Sequence, residues 1–359
     1  MSDFRVGRSA SIGLWPSNRR VTMQVAASMA VGLLVLVSGV RTGAVTTMGA
    51  TGARAAMFDT DPGLELDYSG DGATDYNVVR NTGGGPGGAL TWFNLGHLGF
   101  SGVQWGLSTD FFLSGDYDGD NRADIVIWRA GTTATFYVRR SSNGVLQAAQ
   151  WGQSGDDPTV PGDYDGDGKT DFAVYRAGPT AGAQSRWYVL SSLTGSLIAI
   201  NWGQNGDFPA PGDYNGDGIA DVAIQRNGGG GQGLFWIRTS TGVISNVYFG
   251  TPTDLIVPGD YDGDNQTDLA VMRGQAGQLV WYIRRSSNGT ILSFPWGNSA
   301  TDFATQGDYD GDGITDAAVW RPSANPGESG FWVRRSTGGF HFYQYGSNGD
   351  YPVANYNSH

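Results

Sequence analysis

Apolar side chains come in short runs along this chain. Asp124-Ile125-Val126-Ile127-Trp128-Arg129, Asp171-Phe172-Ala173-Val174-Tyr175-Arg176 and Asp316-Ala317-Ala318-Val319-Trp320-Arg321 are three of them. A second kind of run is aromatic and β-branched, as in Phe136-Tyr137-Val138, Trp187-Tyr188-Val189, Trp281-Tyr282-Ile283 and Phe331-Trp332-Val333. Gly, Asn, Pro and Ser bound the runs, for example Ser141-Ser142-Asn143-Gly144 and Ser286-Ser287-Asn288-Gly289. Segments of this length and composition predict strands. After residue 55 no stretch keeps a 3.6-residue apolar period with caps, so helix content is expected to be near zero.

The first 55 residues follow a different rule. Arg5, Arg8, Arg19 and Arg20 precede an apolar stretch from Val21 to Val40, and small residues follow at Ala53-Arg54-Ala55. A basic start, an apolar centre and small residues mark a secretory leader, with cleavage expected after Ala55 or near Thr42-Gly43-Ala44. The competing expectation is a retained N-terminal anchor, since about 20 apolar residues span a bilayer. Either reading places the domain at residues 56–359 outside the cytoplasm, secreted or at the cell surface.

Self-comparison supplies the architecture. A nine-residue pattern, Asp-x-Asp-Gly-Asp-Gly-x-x-Asp, starts at Asp67, Asp116, Asp163, Asp213, Asp260 and Asp308, at spacings of 49, 47, 50, 47 and 48 residues. Each copy leads into an apolar run, an aromatic run, a turn and a third run ending in aromatic-glycine, such as Trp105-Gly106, Trp151-Gly152, Trp202-Gly203, Phe249-Gly250, Trp296-Gly297 and Tyr345-Gly346. Four short strands in about 48 residues is the scale of a propeller blade. The expected fold is therefore an all-β, single-domain β-propeller of six blades, each with four antiparallel strands. Closure is preferred over an open stack because it removes unpaired sheet edges. The C-terminal Asp350-Tyr351-Pro352-Val353 resembles the segment before each loop. It is either a latch closing the first blade or the start of a seventh.

Composition narrows the chemistry. Glycine accounts for 58 of 359 residues, about twice its usual share, and there is no cysteine. Thiol nucleophiles, disulfides and thiolate metal sites are thereby excluded. His97, His341 and His359 are too few and scattered for a histidine-built hydrolase centre. Without the leader the chain carries a formal charge of -17, against the basic face that nucleic-acid binding needs. Of the 33 acids in that segment, 22 sit in the six loops.

The loops carry the candidate chemistry. Carboxylates at positions 1, 3, 5 and 9, with glycines at 4 and 6 to turn the backbone, suit a hard cation taking six to eight oxygens. The expected side-chain ligands are Asp67, Ser69, Asp71 and Asp75; Asp116, Asp118, Asp120 and Asp124; and Asp163, Asp165, Asp167 and Asp171. The later loops offer Asp213, Asn215, Asp217 and Asp221; Asp260, Asp262, Asp264 and Asp268; and Asp308, Asp310, Asp312 and Asp316. Position 7 varies (Ala73, Arg122, Lys169, Ile219, Gln266, Ile314), as expected if only its carbonyl binds. Ser69 and Asn215 lower the charge of two loops and predict weaker sites. The pattern is not an EF-hand, which needs an acid at position 12, where the third loop has Val174, and helices on both sides. Calcium is expected over magnesium, at about six ions, with affinities on the order of 10⁻⁴ to 10⁻³ M.

The pattern Gly-Asp-Tyr-Asp-Gly-Asp-Gly-x-x-Asp-x-Ala-Val-x-Arg, seen best at 162–176 and 307–321, resembles the FG-GAP/VCBS repeats of bacterial surface proteins, which are related to the integrin α propeller. The resemblance covers roughly 62–357. It implies calcium in the loop between the first two strands of each blade, held by Asp163, Asp165, Asp167, Asp171 and their equivalents. The blades are shorter than integrin blades and no adhesion or catalytic domain accompanies them, so partner identity does not carry over.

Two further repeated features are read as structural. Arg80, Arg129, Arg176, Arg226, Arg273 and Arg321 each lie five residues after the last loop aspartate and are expected to pair with acids or pack. The aromatic-glycine tryptophans are expected to pack blade against blade. The functional expectation is a non-catalytic, calcium-stabilised module that binds a surface protein or matrix partner. Its rival is a lectin with Trp- and Asn/Gln-lined pockets between blades. An enzyme such as a polysaccharide lyase would need a non-repeating site, for which only His97, expected as a solvated loop residue, and the insert Asn227–Gly233 are candidates.

Overall fold

The computed structural model describes residues 66–353, and the expected leader lies outside the described residues. Strands and turns make up this segment, with no α-helix among the described residues. Its strands form six small antiparallel sheets, each pairing its strands in order. Blade two shows the plan: Phe111–Gly115, Asp124–Arg129, Thr135–Arg139 and Leu146–Gln150 pair successively. The second strand is buried almost throughout, the third alternates, and the fourth is the most exposed.

The continuous apolar run of the second strand follows from its position between two neighbours. Ile125 and Ile127 pack into a cluster with Val79 and Trp92 of blade one. Val126 and Trp128, on the opposite face, join Phe172 and Val174 of blade three. The arrangement repeats around the ring, giving six clusters, each shared by adjacent blades. The last joins Val78 to Trp320 and so brings the first blade against the sixth.

Closure uses the C-terminal segment as a latch. Tyr351–Pro352 pairs with the strand Tyr76–Asn81, placing Val78 opposite Pro352 and Val79 opposite Tyr351. It is the innermost strand of blade one, and there are six blades. Innermost strands are short: Phe208–Pro209, Leu255–Ile256 and Phe303–Ala304 have two residues each. In blade three, where Pro158 and Pro161 lack N–H donors, only the bridge between Asp157 and Tyr175 remains. Proline is tolerated there because one side of an innermost strand has no partner.

The repeated tryptophans tie the blades as expected. Trp105, Trp151, Trp202 and Trp296 each donate Nε1–H to a carbonyl of the next blade, at 3.2, 3.0, 3.3 and 3.0 Å. The six arginines all find acids. Arg80, Arg129, Arg176, Arg226, Arg273 and Arg321 make two-pronged bonds to Asp350, Asp110, Asp156, Asp207, Asp254 and Asp302. Five of the guanidinium groups also lie over the ring of Phe93, Tyr137, Tyr188, Tyr282 or Trp332. The acid side chains are at most 1% exposed.

In blade one this pair spans 270 residues of sequence and reinforces the latch. Arg80→Ala leaves the Asp350 carboxylate buried without its counter-charge, and the expected loss is about 3 kcal/mol. Urea unfolding measures it; a loss below about 1 kcal/mol would reduce the pair to an ordinary surface bridge.

Candidate functional site

Each acidic loop leads into the second strand of its blade, from the innermost strand in blades two to six, and its first carboxylate organises it. In the third loop, Asp163 accepts N–H bonds from Gly166 at 2.6 Å and Gly168 at 2.7 Å. Asp67, Asp116, Asp213, Asp260 and Asp308 do the same in their loops. Positions 4 and 6 must adopt positive φ for those N–H groups to converge, which glycine does without strain. At position 6, Asn121 and Asn265 replace glycine and hold φ at 61°.

Position 9 is the deepest acid. Asp124, Asp171, Asp221, Asp268 and Asp316 are fully buried and accept N–H bonds from position 2 and from a serine in the outer turn. Burial pushes these carboxyls up, to about 6 for Asp124 and Asp268 and about 7 for Asp171, Asp221 and Asp316. Nearby loop carboxylates add to the rise, and the N–H donors oppose it. Asp75, in the first loop, also reaches about 7, through burial and then through Asp67.

Five loops bring three carboxylates together, with one oxygen from each within 4.8 Å of the others. In the second, third, fifth and sixth these come from positions 1, 3 and 9: Asp116, Asp118 and Asp124; Asp163, Asp165 and Asp171; Asp260, Asp262 and Asp268; Asp308, Asp310 and Asp316. In the first they are Asp67, Asp71 and Asp75. The fourth loop forms no such triad among the described residues; its Asn215 amide donates to Asp217 at 3.0 Å. Asp118, Asp165, Asp262 and Asp310 each keep a buried Oδ1 without a hydrogen-bond partner. Crowded carboxylates repel, and an unpaired buried oxygen is costly. A divalent cation relieves both, so these donor sets fit a hard metal ion.

Position 5 behaves differently. Asp120, Asp167, Asp217, Asp264 and Asp312 accept hydroxyl bonds from the turn residues Ser141, Ser192, Ser240, Ser286 and Ser336. They also accept the N–H of position 7, from Arg122, Lys169, Ile219, Gln266 and Ile314, as Asp71 does from Ala73. In loops two to six these acids link the loop to the outer hairpin rather than joining a triad, whereas Asp71 belongs to the triad of the first loop.

Sequence reasoning missed the contact between loops. The N–H at position 8 donates to the position-1 carbonyl of the preceding loop: Ala123 to Asp67, Thr170 to Asp116, Ala220 to Asp163, Thr267 to Asp213 and Thr315 to Asp260. Thr74 donates to Asp308 at 2.6 Å and completes the circle. The glycine before each of five loops makes room for this approach. A Cβ on Gly115, Gly162, Gly212, Gly259 or Gly307 would lie 2.5–2.8 Å from the position-8 side chain of the neighbour. The variable position-7 side chains lie over the first glycine of the preceding loop, as Lys169 does over Gly119 and Ile314 over Gly263. The Gly-Asp doublet and the small position-8 residue were the available signals. The aspartates paired with the arginines were also missed, although five of the six follow the aromatic-glycine step by four residues.

Aspartates of the unfolded chain titrate near their ordinary value of 3.8, so the metal-free folded chain holds protons that the unfolded chain releases. Its stability is expected to fall as pH rises from about 4 to about 7. In chelator, the urea midpoint is expected to be lower at pH 8 than at pH 5; an unchanged or higher midpoint would contradict the assignment of position 9.

A model of the FG-GAP-like repeat family matches residues 116–174, from the second loop through the third and into the strand that follows it. No curated protein matches the chain by sequence. TolB from Acinetobacter baumannii is similar in fold, with a TM-score of 0.52 at 14% identity. The likeness covers 78% of this chain and 66% of TolB, so the chain spans just under two thirds of that protein. A triple arginine-to-alanine mutant of AofleA from Arthrobotrys oligospora gives 0.42 at 11% identity, covering 81% of this chain and 90% of that one. A protein from Lactobacillus plantarum gives 0.36 at 12%, covering 77% and 98%. The chain is a six-bladed β-propeller that contains an FG-GAP-like repeat at residues 116–174, and the same acidic loop recurs four more times outside that stretch.

Proposed function

We propose that the chain is exported and works as a non-catalytic, calcium-stabilised binding module for a surface protein or matrix partner. The observation that carries this reading is a repeated exposed apolar position. Phe100, Leu146, Leu197, Ile244, Ile291 and Phe340 lie at the start of the outermost strand of the six blades, each more than half exposed. They pair across the sheet with Leu95, Arg139, Leu190, Arg238, Arg284 and Arg334. Equivalent exposed apolar side chains on every blade favour a protein partner. The adjoining turns are hydrogen-bonded to the acidic loops, so ions in the loops would also hold this rim in place. Six calcium ions would lower the formal charge from -17 to -5 and reduce the self-repulsion of the ring.

A calcium titration after chelation is expected to raise the melting temperature and to bind about six ions, with midpoints on the order of 10⁻⁴ to 10⁻³ M. At ten times its Kd each site contributes about 1.4 kcal/mol. An unchanged melting temperature, with partner binding retained in chelator, would overturn the reading.

A cleft between blades three and four supports a second reading, a lectin. It has a volume of about 380 Å³, and its walls include Trp202, Trp236, Arg226, Gln184 and Asn201. Aromatic faces beside amide and guanidinium groups suit a saccharide. A glycan array in millimolar calcium is expected to show binding that Trp202→Ala abolishes; a blank array ends this reading.

A further inference from the structure

Every blade ends in an outermost strand with no neighbour on its outer side: Gly99–Leu107, Leu146–Gln150, Leu197–Gln204, Ile244–Tyr248, Ile291–Asn298 and Phe340–Gln344. An open edge is a template for another strand, and folded proteins ordinarily guard it with charge, proline or a bulge. None of these six strands carries Asp, Glu, Lys or Arg, although 16% of the chain is charged. Blades one, three and five keep the other guards. Their outermost strands slip in register against the third strand, and Pro295 interrupts the edge of blade five. Blades two, four and six pair without a slip.

Blade six has the edge best suited to pairing. Its strand, Phe340-His341-Phe342-Tyr343-Gln344, is rich in the aromatic residues that favour strands. At the position of Phe342, blade two has Ala148 and blade four has Asn246, both depleted in strands. Phe340 is 74% exposed, the highest value among the described large apolar residues. Hydrogen bonds on the inner side fix which backbone groups stay free. The Tyr345 N–H donates to Ser329, and the Arg335 N–H donates to Gly339. Bonded pairs alternate along an antiparallel ladder, so His341 and Tyr343 direct their N–H and C=O groups to Val333 and Phe331. Phe340, Phe342 and Gln344 therefore point theirs outward. Pro295 obeys the same rule, since it holds the place in blade five that Gln344 holds in blade six and its missing N–H would face outward.

We propose that this edge pairs with the same edge of a second copy of the chain, antiparallel about a two-fold axis at Phe342. That register sets the Phe342 residues of the two copies opposite each other and each Phe340 opposite a Gln344. It uses every outward N–H and C=O of the three residues, about six main-chain bonds. The exposed rings of Phe340 and Phe342 then lie across from or diagonal to those of the other copy, within reach of one another. A second copy is the occupant because an uncharged edge offers a charged segment no counter-charge, whereas this strand is its own complement. The pairing uses each edge once, so assembly closes at a dimer. A strand pair of this length is at the small end of specific interfaces, so the dimer is reversible. The inference goes beyond the binding of a surface or matrix partner and stands or falls separately.

The test is sedimentation equilibrium of the full chain from micromolar to millimolar concentration. Millimolar calcium and high salt are included to reduce the repulsion between two acidic copies. A reversible monomer–dimer equilibrium is expected. Phe342→Lys puts a charge on the edge and is expected to weaken the dimer about tenfold or more. Gln344→Pro copies the proline of blade five and removes one outward N–H from each copy. It is expected to stay folded by circular dichroism and to weaken the dimer as well. Ala148→Lys, a charge at the matching place on the edge of blade two, is expected to leave the dimer unchanged. A chain that is monomeric at every concentration would overturn the proposal. So would association that Phe342→Lys and Gln344→Pro leave intact, or that Ala148→Lys weakens equally. The expected pattern in a chain that captures no surface or matrix partner would uphold the dimer and sink the binding reading alone.

Discussion

The ring rests on the hydrogen bond from position 8 of one acidic loop to the position-1 carbonyl of the loop before it. Six such bonds run head to tail, from Ala123 to Asp67 and onward to Thr74 and Asp308. The residue that accepts each bond through its carbonyl is also the one whose carboxylate folds its own loop. Asp163 gathers Gly166 and Gly168 with its side chain while its carbonyl holds Ala220 of the next blade. Loop shape and blade spacing are thus one constraint, and a change at position 1 acts on both. The six apolar clusters supply most of the driving force, but burial is non-directional and does not by itself fix how blades register. The loop circle does, with the tryptophan Nε1–H bonds adding a second set of directional contacts farther out.

The two kinds of acid show how the same side chain serves different ends. Aspartates facing arginine, such as Asp110 and Asp302, are buried with a matched charge and a backbone donor. Loop aspartates at positions 1, 3 and 9 crowd against one another, and none has the two-pronged arginine partner of the first kind. The first kind is complete within the protein. The second is complete only with an added ion or an added proton, which makes the strength of the blade ring responsive to its surroundings.

Much of this was legible in the sequence because the fold repeats. The loop register, the strand runs and the arginine five residues past each loop are periodic, and periodicity survives without knowledge of contacts. Closure by Tyr351–Pro352 was legible as one of two possibilities, because a segment resembling an innermost strand serves equally as a latch or as the start of another blade. The contacts between loops were hidden for a different reason. Thr170 and Asp116 lie in separate repeats, and nothing local in either tells which neighbour is approached. His97 is exposed in its turn as expected, but its contacts with Ser69 and Asp71 were hidden on the same ground, since only folding brings these residues together. The division of labour between position 5 and the triads was equally invisible, since both are aspartates at fixed spacing and outer-turn hydroxyls bond position 3 as well as position 5.

The latch has a consequence for how molecules of this chain meet one another. Blade one is built from both ends of the described chain, and the C-terminal segment is held by the two-residue pairing, the Val353 N–H bond to Asn77, the buried Val353 side chain and the Arg80–Asp350 pair. A two-residue strand is the element of this ring most easily released. Once free, it leaves a vacant slot in its own blade that fits the same strand of any other copy equally well. Reciprocal exchange then yields a closed dimer made entirely of native contacts, and unreciprocated exchange yields an open string. Crowded chains and weakened latches therefore favour domain swapping, and the pairing of Arg80 with the buried Asp350 helps keep each molecule to itself.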